Sequence, residues 1–294
     1  MLGGNLVNVF LHRTPWILRH NEGDVLRPFD LPAPTFQFLV GVSLALFLRA
    51  RRAGGRGADE ARRDAFRRFA LLILLGMLLD CVGALTVQLR WGVLQTLGLG
   101  GIVATVLSGS SAATIVAIAL GLLGMFSGTW NGEVHHDPIA ALAFVPLTLA
   151  GLLIGRGLDG RAPLAECMRR CLLVALTGAA LAAVLRGVGI PFNKLTGSSS
   201  FVALATAVAA AVLGAAAGIE ALLGALPGWV AEVGRNALTA WVLQYVLVFY
   251  PAWIVFPGWR RLALSTGVVV VGATATFLSA LAVALGRRGI RIPL

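Results

Sequence analysis

Residues 200–223, SFVALATAVAAAVLGAAAGIEALL, form an apolar run whose sole ionisable side chain is Glu220. A helix needs roughly 20 such residues to cross the hydrocarbon core of a bilayer, so this stretch reads as a membrane span. The pattern recurs on both sides of it. Comparable runs fall at 32–49, 69–88, 91–108, 112–127, 139–155, 171–188, 235–255 and 262–285. Residues 1–18, MLGGNLVNVFLHRTPWIL, are apolar but interrupted by His12 and Arg13, and lack the basic start and small-residue cleavage site of a signal peptide. They read as a tenth helix, short or truncated at its N-terminus. Of the 294 residues, 58% are hydrophobic and 13% charged, whereas a soluble domain carries about a quarter charged residues. The chain is therefore expected to be an all-α polytopic transmembrane bundle of about ten spans, one integral-membrane domain over residues 1–294.

The net charge of +11 invites a nucleic-acid reading, but its placement points to membrane topology. Arg51, Arg52, Arg56, Arg62, Arg63, Arg67 and Arg68 crowd one connection, as the positive-inside bias requires of a cytoplasmic loop. With ten spans and a cytoplasmic N-terminus, 16 of the 24 basic residues lie on the inner side. Both termini are then cytoplasmic and the protein sits in the inner membrane among its lipids, with no nucleic-acid partner. The three cysteines, Cys81, Cys167 and Cys171, offer neither a disulfide framework nor metal spacing. Cys167 and Cys171, four apart, read as small packing residues on one helix face. Glycine-rich stretches such as LGLGGIVATVLSGSSAA (97–113) let helices approach closely and would allow a homodimer.

In this topology all four histidines fall on the outer side. The connection within Asn8–Gly41, NVFLHRTPWILRHNEGDVLRPFDLPAPTFQFLVG, is longer and more polar than a helix-to-helix link needs. His20 is its best titratable candidate, because an unperturbed pKa near 6.5 permits proton uptake near neutrality; the alternative is a solvated loop histidine. Asp30 can cap the following helix or hold a histidine in one tautomer. Asn8 lies in the first apolar run, where a buried amide is expected to face the protein interior, either donating to a developing oxyanion or tying two helices together. Asn193, Lys194 and Ser198 open the span after residue 199 and can hold an anion or a sugar, or simply cap the helix. Arg235 and Asn236 open a later span from the inner face, where Arg235 can meet a phosphate-bearing ligand or lipid headgroups. His135 and His136 are adjacent and diverge on most backbones, and no third ligand has metal spacing, so no metal is expected.

Several ordered segments resemble the catalytic region of heparan-α-glucosaminide N-acetyltransferases and their bacterial relatives, a family of transmembrane acyltransferases. His20 stands ten residues ahead of Asp30 in DLPAPTFQFLVG, as the family histidine does before its aspartate, and Val7-Asn8 is similar to an upstream Val-Asn. WGVLQTLGLG (91–100), HHDPIAAL (135–142), PFNKLTGSSSFV (191–202) and VGRNALTAW (233–241) follow in the family's order. Thr96 stands where the family has an arginine, and Gly23 where it has a tryptophan. The resemblance implies transfer of acetyl from cytoplasmic acetyl-CoA to the amine or hydroxyl of an extracytoplasmic glycan or amino sugar. It implies a catalytic role for His20, with Asn8 as the nearby asparagine; read from the residues themselves, Asp30 is a candidate catalytic partner, Arg235 and Asn236 are cofactor-binding candidates, and Asn193, Lys194 and Ser198 are acceptor-binding candidates. A transporter or flippase of a lipid-linked saccharide or acyl compound, or a noncatalytic envelope scaffold, are the alternatives.

Overall fold

A computed structural model describes residues 2–19, 23–127, 132–158, 164–225, 227–256, 262–290 and 292. The described residues are helical, without a strand. Among the described residues eleven α-helices follow one another: α1 (Leu2–Phe10), α2 (Pro32–Ala53), α3 (Ala58–Ala84), α4 (Val93–Val106), α5 (Ala112–Met125), α6 (Val145–Gly157), α7 (Leu164–Gly187), α8 (Ser199–Leu223), α9 (Gly228–Arg235), α10 (Ala237–Gln244) and α11 (Leu264–Arg287). Each apolar run of the sequence carries one of them. The expectation of about ten spans is met in part. Among the described residues, six helical stretches are long and apolar enough to cross a bilayer: Pro28–Ala53, Ala140–Gly157, Leu164–Gly187, Ser199–Leu223, Ala237–Val255 and Leu264–Arg287. Val93–Gly109 and Ala112–Met125 are apolar but shorter. Helix α1 has nine residues, about 14 Å at 1.5 Å per residue, half of a hydrocarbon core of about 30 Å.

The chain forms two compact units. Unit 1 comprises Met1–His20, Leu79–Gln88 and Ala225–Leu294; unit 2 comprises Asn21–Leu78 and Leu89–Gly224.

In unit 2, α2 and α6 approach so closely that side chains are excluded between them. A Cβ on Gly41 would strike the Thr148 carbonyl, and one on Gly151 would strike the Phe38 carbonyl. Leu44, Ala45, Leu48, Val145, Leu149 and Leu152 fill the layer that these contacts create. Helices α7 and α8 pair through small residues in the same way, with Gly178 against Ala203 and Ala207, and Gly214 against Cys171. Cys167 and Cys171 are buried in that interface as reduced thiols, the packing role their spacing suggested. Gly197 has no substitute: its φ is +65°, and a Cβ would lie 2.7 Å from both Ala143 and Val134.

Unit 1 buries Leu6, Val7, Val9 and Phe10 of α1 against Val248, Phe249, Ala252, Val271 and Leu278. Its span Ala237–Val255 widens into π-helical turns at Tyr245–Phe249 and Pro251–Val255. Pro251 bears on the first: without an N–H it cannot donate to the Leu247 carbonyl four residues back. In the second, Phe256 donates to the Pro251 carbonyl five residues back at 2.9 Å.

The tight α2–α6 contact predicts that Gly151→Ala destabilises the protein by about 1–3 kcal/mol, the usual cost of overpacking. Thermal unfolding in detergent checks this, with Gly121→Ala as the control. Gly121 has no neighbour within 4 Å of an added Cβ, and its substitution should not lower the transition.

Candidate functional site

One end of unit 2 gathers residues from four distant parts of the chain. The 3-10 turn Pro28–Asp30 precedes α2 and places Asp30 where it is fully buried. Its Oδ2 accepts from the Arg27 N–H at 3.2 Å, and its Oδ1 meets the Lys194 Nζ at 3.3 Å. The sequence left Asp30 between capping α2 and orienting a histidine. In the structure Leu31 occupies the cap position, and Asp30 joins the loop before α2 to the loop before α8. Lys194 is 8% exposed. Burial pushes its ammonium below the ordinary lysine value of 10.5, and Asp30 opposes that shift.

Asn193 reinforces the same junction. Its Nδ2 donates to Asp24 Oδ1 at 2.9 Å, and its Oδ1 accepts from the N–H groups of Leu195 and Thr196 at 2.9 and 3.2 Å. Ser198 occupies the N-cap position of α8, yet its hydroxyl makes no capping bond. It donates to the Pro191 carbonyl at 2.7 Å and accepts from the Asn193 N–H at 2.9 Å, closing the loop on itself. Asn193, Lys194 and Ser198 thus all have protein partners. Two side-chain nitrogens of Arg27, Nε and Nη1, are buried with no hydrogen-bond partner among the described residues.

A second polar group lies behind this junction. The Val134 N–H donates to the Leu195 carbonyl at 2.7 Å, which ties the histidine loop to the lysine loop. The two histidines diverge, as their adjacency required. His136 bridges Glu133 and Arg90 on the exposed side, its Nε2 lying 3.2 Å from Arg90 Nη2. His135 turns inward, with Nδ1 3.4 Å from Thr96 Oγ1 and its ring set edge-on to Phe144. Thr96 is buried and receives the Trp91 indole N–H at 3.1 Å. Gln37 donates to the Thr96 carbonyl at 3.4 Å and to Thr148 Oγ1 at 2.7 Å. A chain of polar groups therefore runs from His135 through Thr96 and Gln37 to Thr148, into the interior of α2, α4 and α6.

The sequence reading missed Gln37, Thr148 and the bridging role of Thr96. Gln37 carried a detectable signal, since an amide inside an apolar run needs a partner in the bundle. The Thr148 hydroxyl did not, because a lone threonine can satisfy itself on its own helix.

The opposite end of α2 is basic. Arg49 donates to the last carbonyls of α6, those of Gly155 and Arg156, at 3.3 and 3.2 Å. Arg156 donates to the carbonyls of Leu107, Ser108 and Ser110 where the helix after α4 ends. Both use guanidinium donors to satisfy helix C-termini. Arg51 and Arg68 sit over the Phe47 ring, and burial together with Arg51 lowers the Arg68 pKa. Arg52, Arg63 and Arg67 are exposed.

The remaining candidates lie in unit 1. His20 falls outside the described residues. Asn8 is exposed, which corrects the inward-facing amide expected of it. Leu6, Val7, Val9 and Phe10 take the buried face of α1, and the 100° step of the helix leaves residue 8 opposite them. Arg235 is exposed at the C-terminus of α9, where helix carbonyls favour a cation. Asn236 is buried at the break between α9 and α10, its Nδ2 donating to the Glu232 carbonyl at 2.8 Å.

Breaking the Asp30–Lys194 pair from one side leaves an uncompensated buried charge, which costs about 3–5 kcal/mol. Lys194→Met and Asp30→Asn should each lower stability on that scale, and the double variant should recover most of the loss in a thermal or denaturant cycle. The pH dependence has a defined sign. The folded protein releases the Lys194 proton at lower pH than the unfolded chain, so stability rises with pH between the lowered value and 10.5. Lys194→Met should abolish that rise. Compared with known proteins, the chain matches no protein-family model and no curated protein.

Proposed function

We propose that the protein is a transmembrane acyltransferase that moves an acetyl group from cytoplasmic acetyl-CoA to an amine or hydroxyl of an extracytoplasmic sugar. In this reading ten helices lie in the inner membrane with both termini cytoplasmic, the short ones completing the bundle. One observation carries it. Asp30, Thr96, His135 and Lys194, from the four family-like segments of unit 2, meet at one end of α2, and the arginines crowd its other end. The 22 residues of α2 separate the two ends by about 33 Å, close to the thickness of a hydrocarbon core. Exposed Arg52, Arg63 and Arg67 of unit 2 suit the phosphates of a nucleotide on the cytoplasmic side, and Arg235, exposed in unit 1, is a separate candidate for the same chemistry.

The chemistry assigned to the chain is proton transfer and charge stabilisation. His20 takes the proton of the acceptor nitrogen or oxygen as that atom attacks the thioester carbonyl. The C–S bond breaks, the new acyl bond forms, and the proton returns to the departing thiolate. An amide aimed at the developing oxyanion would lower the barrier by about 3 kcal/mol; the exposed Asn8 is not placed in that role. Asp30, Asn193, Lys194 and Ser198 shape the outer end through their bonds to one another.

Acetyl-CoA labelled in its acetyl group should leave label covalently on an amino-sugar acceptor, and His20→Ala should lose that transfer with binding of acetyl-CoA retained. Label that crosses the membrane without covalent attachment would establish a transporter instead. In spheroplasts, Cys at position 136 should react with an impermeant maleimide from outside, and Cys at position 55 only after lysis.

A further inference from the structure

Three residues of unit 1 leave polar atoms unsatisfied along one helix. Gln244 is fully buried, and neither its Nε2 nor its Oε1 has a hydrogen-bond partner among the described residues. The same holds for Trp241 Nε1 and Asn236 Oδ1, in side chains 9% and 4% exposed. Asn236 opens α10 and Gln244 closes it. At 100° per residue the three fall within about 140° of the helix circumference, spread over about 12 Å of its axis. A buried amide or indole without a partner costs about 1–3 kcal/mol, and such groups in native proteins call for an explanation. The backbone is irregular at the same place. The π-helical turn Tyr245–Phe249 begins one residue after Gln244, and π-turns inside α-helices recur at functional sites. Tyr245 packs its ring 6.0 Å from that of Trp241.

Four polar atoms are unfilled. Trp241 Nε1 carries one N–H and Gln244 Nε2 two, so at least two acceptors are needed. Gln244 Oε1 and Asn236 Oδ1 are acceptors and need two donors, the Asn236 Nδ2 being already spent on Glu232. Two carbonyls and two N–H groups are what two secondary amides in one chain present. We infer that the Asn236–Trp241–Gln244 face of α10 binds a ligand through secondary amides. Resting on the acyltransferase reading, that ligand is the pantetheine arm of CoA, whose two amides are separated by an ethylene spacer. An N-acylated sugar is the other source of the same group and offers only one amide.

Gln244→Met separates this role from a structural one, because it keeps the side-chain volume while removing both polar atoms. The experiment uses the full chain in lipid nanodiscs, with thermal unfolding and calorimetric titration of pantetheine, acetyl-CoA and N-acetylglucosamine. Without ligand, Gln244→Met should melt higher than the parent protein. It should bind pantetheine and acetyl-CoA roughly tenfold or more weakly. Trp241→Phe, which removes one donor, should weaken both by a smaller factor. If Gln244→Met melts lower without ligand, or binds all three probes as the parent does, the inference is overturned. Loss of N-acetylglucosamine binding alone upholds the amide site and assigns it to the N-acyl sugar. The functional reading fails separately: if labelled acetyl is never transferred while Gln244 still governs binding of an amide probe, the site stands without the acyltransferase. If transfer proceeds and Gln244→Met changes no affinity, the reverse holds.

Discussion

The buried pair between Asp30 and Lys194 is the interaction on which one end of unit 2 depends. Both charges have been taken out of water, which costs several kcal/mol per ion unless geometry and further hydrogen bonds compensate. Here the compensation is distributed. The Arg27 N–H supports the carboxylate, and Asn193, next to the lysine, anchors its loop to Asp24 and to its own backbone. Such a pair is weak evidence for extra stability. Its effect is positional, since it sets the loop before α2 against the loop before α8, and the Val134–Leu195 backbone bond then carries the histidine loop into the same place.

Helix packing makes that arrangement possible. Helices α2 and α6 meet through Gly41 and Gly151, backbone against backbone, and only at such a distance does Gln37 reach Thr148 Oγ1 at 2.7 Å. Gly100 leaves room for the same amide, since a Cβ there would collide with Gln37. Small residues thus serve two ends. They replace the missing hydrophobic drive between helices in lipid with close van der Waals contact, and they leave space for a polar chain that bulky residues would fill. Unit 1 uses the opposite device. Its α10 ends in a widened turn, and Asn236, Trp241 and Gln244 carry buried polar atoms with no hydrogen-bond partner among the described residues.

The helices were legible because apolar run length and the spacing of charges are local properties. Ten runs became ten helical segments, and the small-residue role of Cys167 and Cys171 followed from their separation. What the runs could not convey was how much of each would remain helical and apolar. Part of the span Ala237–Val255 is π-helix, and the apolar helices Val93–Gly109 and Ala112–Met125 are shorter than a crossing needs. Asn8 was misread for a related reason. An amide in an apolar run was assumed to face inward, yet the flanking Val7 and Val9 claim the buried face.

The sequence by itself determined the membrane character, the helical class and the polarity of charge along the chain, because each depends on residues adjacent in the chain. It also marked Asp30, Lys194 and His135 as chemically notable. Only the tertiary structure decided that Asp30 pairs with a lysine 164 residues away, that Thr96 receives His135, and that Gln37 links the two to Thr148. Those partners lie on different helices and on the loops between them, and the meeting of Gln37 with Thr148 is set by the distance at which glycine-lined faces pack. No single segment encodes such distances.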